Sequence, residues 1–258
     1  NVTYREVSTF LQQIESNKRI TLGYICSSAN GMSKNYLKVQ KKQVQELLID
    51  NWQKLDVTFF DKARAFLLDK RVKDKPLAPY EHQEKAIRGA QDYFQAQGNS
   101  RGKLIFPCGS GKSLTGYWIT EALGSHSTLI AVPSLSLVKQ TLEVYLREIV
   151  ANEIDVKWLC ICSDEGIGKD SEVLVKTQDI GVPCLTDSDY ISQWLDTNRN
   201  ERTIIFTTYQ SGRIIAEVSK KLKFKFDVGI FDEAHKTVGS KNKVFSHLLF
   251  EENIGIEK

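Results

Sequence analysis

From position 79 onward the apolar positions switch between two rhythms. Amphipathic stretches with a period near 3.6 run over 79–97, 113–123, 134–150, 187–196 and 210–221. Between them lie short, nearly continuous apolar runs at 103–107, 128–132, 156–162, 203–207 and 227–231. Strands that are apolar throughout have no solvent face. Separated by helices, they predict a parallel α/β sheet covered on both sides. Residues 163–186 break the rhythm and read as a surface excursion.

The first 70 residues follow a different plan. Val2, Val7, Phe10, Leu11 and Ile14 make an apolar stripe on a helix over 1–16, and residues 19–26 read as a strand. The turn formers of 27–31 follow. Leu37, Val44, Leu47, Leu48 and Trp52 suggest a helix, and another spans 59–68. One strong strand without a partner is too little for a complete catalytic domain. Residues 1–70 are therefore expected to be the small α/β tail of a domain that begins upstream. Residues 71–78, charged and holding Pro76 at the start of a Pro-Leu-Ala sequence, read as a linker into a second domain at 79–258.

Composition changes this picture little, except in its charge distribution. The net charge is +3, but residues 1–75 hold 14 Lys/Arg against 8 Asp/Glu. That basic front end suits a polyanion. No apolar run is long enough to span a bilayer and no signal-peptide pattern opens the chain, which predicts a cytoplasmic protein without a membrane partner. The five cysteines are odd in number, lack a CxxC pair and fall in apolar runs. They read as buried reduced thiols rather than as a metal site or disulfides.

Two motifs carry chemistry. At 107–113 the chain reads PCGSGKS, between an apolar run and a helix. Gly109, Ser110 and Gly111 have little side chain, so backbone N–H groups can wrap a phosphate at the positive end of the helix dipole. Lys112 would reach the outer phosphates and Ser113 would offer its hydroxyl to Mg²⁺. The strict pattern wants glycine at position 106, where Phe106 stands; an ordinary strand-to-helix turn is the competing reading. At 226–235 the chain reads FDVGIFDEAH, an apolar strand ending in two carboxylates. Strand C-termini of a parallel sheet share one edge, so Asp232 can lie beside the phosphate loop and hold Mg²⁺. Glu233 can polarise the attacking water. A helix N-cap pair is the alternative for these acids, and the two motifs together outweigh either alternative.

In order and spacing, these motifs resemble the first RecA-like domain of a superfamily 2 DEAH-box helicase or translocase. Residues 131–140 (AVPSLSLVKQ) are similar to the family's motif Ia, and 206–211 (FTTYQS) to its strand-end motif. Residues 77–83 (LAPYEHQ) resemble the upstream element in which a glutamine, here Gln83, reads adenine with Tyr80 near the ring. A narrower similarity, in KLIFPCGSGKS, TTYQSG and DEAHKTVGS, is to the helicase module of ATP-dependent restriction enzymes. The single-polypeptide type I-like group is nearest, although Pro107 and Lys236 depart from its usual alanine and arginine. The resemblance implies ATP and Mg²⁺ as cofactors and double-stranded DNA as partner. It also implies an Mrr-like nuclease core upstream of residues 1–70 and a second RecA-like domain downstream. Without that second domain's arginine finger, this chain alone is expected to bind nucleotide and hydrolyse it poorly.

The same resemblance implies that His235 couples hydrolysis to strand contacts. Ser134, Ser136, Thr207, Thr208, Tyr209 and Gln210 are implied contacts to nucleic-acid phosphates, a role compatible with helix capping. The remaining histidines read as incidental, and the four tryptophans as packing. An ATP-binding regulatory module without motor activity, and an RNA-directed helicase, remain alternative functions.

Overall fold

The computed structural model describes residues 1–17, 20, 23–39, 44–68, 74–107, 109–163, 182, 184–234, 248 and 254–258. The chain divides into two compact units, Asn1–Lys73 and Asp74–Lys258, close to the division expected at 71–78. Leu77, placed in the linker by sequence, instead belongs to the second unit: its N–H donates to the buried Glu148 carboxylate at 3.2 Å.

In the first unit, helix α1 (Tyr4–Ser16) starts at Thr3, whose N–H and hydroxyl both donate to Glu6 at 2.7 Å. Its stripe of Val7, Leu11 and Ile14 is buried, as the periodicity predicts. Strand β1 (Gly23–Cys26) does have a partner. It pairs in parallel with β2 (Val44–Leu47), flanked by the short helices α2 (Lys34–Leu37) and α3 (Ile49–Gln53). This corrects the single helix expected through Leu37 and Trp52. The apolar spacing from 37 to 44 fits a helix only at i+7, because polar residues interrupt the i+3 and i+4 positions. Val44 instead joins the small core of Val7, Leu11, Ile14, Ile25 and Tyr36. Gly23 is required by that packing: a Cβ there would lie 2.3 Å from Ile14 and 2.6 Å from Phe10. Helix α4 (Val57–Leu67), capped by Asp56, closes the unit.

The second unit contains the expected covered parallel sheet. Its order is β4-β5-β3-β7, with β3 (Ser127–Val132), β4 (Lys157–Ile161), β5 (Thr203–Thr208) and β7 (Val228–Phe231). Every pairing is parallel. All residues of β3 and β5 are buried, the property that makes their sequences apolar without alternation. Leu129, Ala131, Ile205 and Ile161 face one core with α8 (Ser188–Thr197) and α9 (Gly212–Leu222). Ile130, Val132, Ile204 and Phe206 face the other with α6 (Lys112–Ala122) and α7 (Leu135–Ala151). Three of the four tryptophans pack as expected: Trp118 and Trp158 lie against the second core, and Trp194 against the first, while Trp52 donates its indole N–H to the Leu47 carbonyl at 3.1 Å.

One predicted strand is not formed. Residues 103–107 join no ladder among the described residues, and Leu104 and Ile105 are 45% and 88% exposed. Both sides of β3 are taken by β5 and β7, and at the outer edges Lys258 already bonds β7 and Leu185 bonds β4. On the far side of β7, β8 (Gly255–Ile256) pairs with β6 (Lys225–Phe226), and Gly229 N–H donates to the Lys258 carbonyl at 2.8 Å. Helix α5 (Glu81–Gln91) ends in a wider π turn, Asp92–Ala96, within the helix expected over 79–97. Most of the irregular stretch 163–186 lies outside the described residues.

Candidate nucleotide site

The shared register brings three strand ends to one edge. Val132 is paired with Thr208 and Ala131 with Phe231. The next residues stay attached: Tyr209 N–H donates to the Val132 carbonyl and Asp232 N–H to the Ala131 carbonyl, both at 3.0 Å. Parallel strands whose C-terminal ends are in register thus deliver the strand-end motif and the acidic pair side by side.

The phosphate loop meets them there. Gly109 and Gly111 adopt φ of +77° and +79°, a left-handed conformation that glycine enters without strain. Gly111 has a second reason to lack a side chain, because a Cβ would stand 2.6 Å from Gln83 Nε2. Ser110 ties the loop to itself, its hydroxyl donating to the Pro107 carbonyl at 2.7 Å. Helix α6 begins at Lys112, so Lys112 and Ser113 sit at its positive end. Lys112 Nζ lies 3.3 Å from Glu233 Oε1, across 121 positions of sequence, with both side chains about 30% exposed. The loop and the acidic pair therefore occupy one solvent-reachable place.

The acidic pair is held with care. Glu233 has φ of +53°, an uncommon conformation for a residue with a side chain. Its N–H donates to Asp232 Oδ1 at 2.9 Å. The Asp232 carbonyl accepts the Tyr209 hydroxyl at 2.7 Å. Tyr209 is fully buried and stacks on Phe231. Burial, then the charges of Asp232 and Glu233, push its phenol well above the ordinary value, so it remains a donor.

Gln83 is only 2% exposed. Its carbonyl accepts Tyr80 N–H at 2.9 Å and its amide donates to the Ser110 carbonyl at 3.3 Å, so here it braces the loop. Tyr80 is 72% exposed and stacks with His82 at 6.0 Å. His82 is the residue that sequence reasoning missed. Its Nε2 lies 3.3 Å from the Ser110 carbonyl and its ring meets Phe106 edge-on at 5.7 Å. Nothing in the local sequence marks a contact made 28 residues away; only its place beside Gln83 was a clue.

Three of the six implied nucleic-acid residues are not presented at the surface. Thr207 is buried with its hydroxyl donating to the Ile161 carbonyl, Thr208 is 5% exposed and donates to Ser211 Oγ, and Tyr209 serves Asp232. Hydroxyls at the end of a fully buried strand find partners inside, so these three side chains bond within the fold. Ser134, half-buried, caps α7, with Ser136 exposed 3.0 Å away, and Gln210 is half-buried directly after Tyr209. His235, Lys236 and Cys108 lie outside the described residues.

With this geometry, the comparisons with known proteins become decisive. A family model described as "Type III restriction enzyme, res subunit" matches residues 76–254. The chain belongs to that family. Its second unit is a RecA-like domain of the kind that comes first in superfamily 2 helicases, a nucleotide-using fold. A nuclease-deletion mutant of the Type ISP restriction-modification enzyme LlaGI, solved with a DNA substrate mimic, is similar over 70% of this chain and 17% of that one. The identity there is 27% and the TM-score 0.52. A probable helicase of African swine fever virus is 27% identical over 159 residues, 61% of this chain and 16% of the viral protein. The UvsW helicase from bacteriophage T4 is 14% identical, with a TM-score of 0.34. The chain thus spans about one-sixth of the first two relatives' lengths. No helix among the described residues is long and apolar enough to cross a membrane.

Tyr209 supplies a prediction that separates positioning from surface contact. Tyr209→Phe leaves the Asp232 carbonyl without its donor, a loss of about 1 kcal/mol, and frees the peptide that sets Glu233. In the full-length protein, kcat for ATP should fall by up to roughly tenfold with KM for ATP unchanged. A change confined to DNA affinity would instead restore Tyr209 to the nucleic-acid surface.

Proposed function

We propose that this chain is part of an ATP-driven motor that moves on double-stranded DNA in a restriction system. The observation that carries this is the approach of Lys112 to Glu233 at the shared strand edge. A lysine at a helix start, preceded by two glycines in left-handed conformation, fits a triphosphate. The neighbouring acids fit its metal and its attacking water.

The roles follow from position. The Gly109–Gly111 backbone would cradle phosphates, and Lys112 would leave Glu233 for the outer phosphate oxygens. That exchange is inexpensive, because a half-exposed ion pair contributes at most about 1 kcal/mol. Ser113 and Asp232 would hold Mg²⁺, which neutralises charge developing on the phosphates. Glu233, released from Lys112, would orient and deprotonate the water. Tyr80 offers an exposed ring to the adenine, and Gln83 would report its presence to the loop through Ser110. His235 is proposed to couple the site to the strand, and Ser134, Ser136 and Gln210 to touch backbone phosphates without reading bases.

DNA, rather than RNA, is favoured by the relative solved with a DNA substrate mimic and by the basic first 75 residues. Residues 1–70 are proposed as the end of an Mrr-like nuclease-like domain, with the nuclease core and second RecA-like domain elsewhere in the parent chain. A cytoplasmic location suits DNA as substrate. The test is ATP hydrolysis by the full-length protein with duplex DNA, single-stranded DNA or RNA. Stimulation by duplex DNA, abolished by Lys112→Ala, is expected. Equal rates with and without nucleic acid would favour a regulatory ATP-binding module, and stimulation by RNA alone an RNA helicase.

A further inference from the structure

Cys160 and Cys162 are two residues apart at the end of β4 and project from the same side of the sheet. Cys184 reaches them from a separate segment. It bridges Cys160 along the main chain, and Leu185 N–H donates to the Cys160 carbonyl at 2.9 Å. The sulfurs of Cys160 and Cys162 are 3.7 Å apart, those of Cys184 and Cys160 3.6 Å, and all three lie within 4.8 Å of one another.

Sequence spacing gave no hint of this, because the third sulfur comes from 22 positions downstream. Zinc–thiolate bonds are about 2.3 Å long, so a tetrahedral site has sulfur–sulfur edges of about 3.8 Å. Two of the three edges already have that length. We propose that Cys160, Cys162 and Cys184 form a thiophilic metal site for a zinc-class divalent ion, with the half-buried Cys184 as the outermost of the three ligands. Each thiol gives up its proton as the ion binds, and soft sulfur ligands select against magnesium and calcium.

A disulfide fits the arrangement less well. Residues i and i+2 of an extended strand have Cα atoms about 6.6 Å apart, at the far limit for a bridge. A bridge from Cys160 to Cys184 would leave the third sulfur without a role. The site also has a structural reach. The neighbouring Ser163 N–H donates to Ser211 Oγ at 3.0 Å, and Ser211 also accepts from Thr208. An ion here would fasten the end of β4 to the Cys184 segment, which leads into α8, and the end of β4 is tied in turn to the start of α9 through Ser211.

Cobalt is the probe. Reduced, chelator-treated protein should bind one equivalent of Co²⁺ with a thiolate-to-metal charge-transfer band, which Zn²⁺ displaces. Cys184→Ser should weaken binding by more than the roughly ten- to a hundredfold lost with an outer supporting partner, and Cys26→Ser should change nothing. Alkylation of the wild-type protein gives an answer without any variant: Zn²⁺ should slow modification of the half-buried Cys184, whereas the exposed Cys26 should react equally with and without it. The proposal is overturned by natively folded protein that shows no band, by a band that survives Cys184→Ser, or by an intact mass two hydrogens short.

Discussion

Glu233→Gln should reduce DNA-stimulated ATP turnover by about 10²–10⁴-fold, the range typical for loss of a positioned general base. The amide keeps the size and the hydrogen-bonding reach of the carboxylate but cannot take a proton from water. The left-handed backbone at 233, its N–H bond to Asp232 and the Tyr209 bond to the Asp232 carbonyl all remain. The loss should therefore fall on kcat. Nucleotide affinity should hold or rise, because the change removes a negative charge 3.3 Å from Lys112, next to the path of an anionic ligand. Single-turnover hydrolysis and equilibrium binding of a fluorescent nucleotide measure the two effects separately. Turnover within tenfold of wild type would remove Glu233 from the chemistry.

Lys112→Ala should move affinity in the opposite direction. A charge-assisted contact to phosphate is worth about 1.5–3 kcal/mol, so triphosphate Kd should increase by roughly ten- to a hundredfold. Glu233 would also lose the cation beside it and repel the ligand. Turnover should fall further still, since the ammonium stabilises charge that grows on the phosphoryl oxygens during transfer. The fold should survive: Lys112 is about 30% exposed and begins α6 rather than packing within it. The opposed signs of the two substitutions make a joint test of the Lys112–Glu233 arrangement. Two variants that weaken nucleotide binding equally would point to a general disturbance of the loop.

Tyr209 and His82 show where local sequence and tertiary position part company. Tyr209 lies in a motif read as a strand contact, yet it is buried and bonded to the peptide that precedes Glu233. His82 was read as incidental, yet it reaches the phosphate loop. Each is a polar group whose partner is distant in the chain. Burial obliges such a group to find a partner without saying which one.

The covered parallel sheet is legible in the apolar pattern, because strands with no solvent face must be apolar throughout and helices between them must be amphipathic. The turn at 109–111 is legible too, since backbone conformation and close approach leave glycine as the fitting residue at 109 and 111. That 103–107 stays outside the ladder, that Val44 begins a strand and that Gln83 braces Ser110 emerges from packing between distant segments. Those outcomes depend on which edges and cavities remain open after everything else has packed. The meeting of three sulfurs at the end of β4 has the same origin: a strand's alternation was written locally, but its neighbour was chosen by the fold.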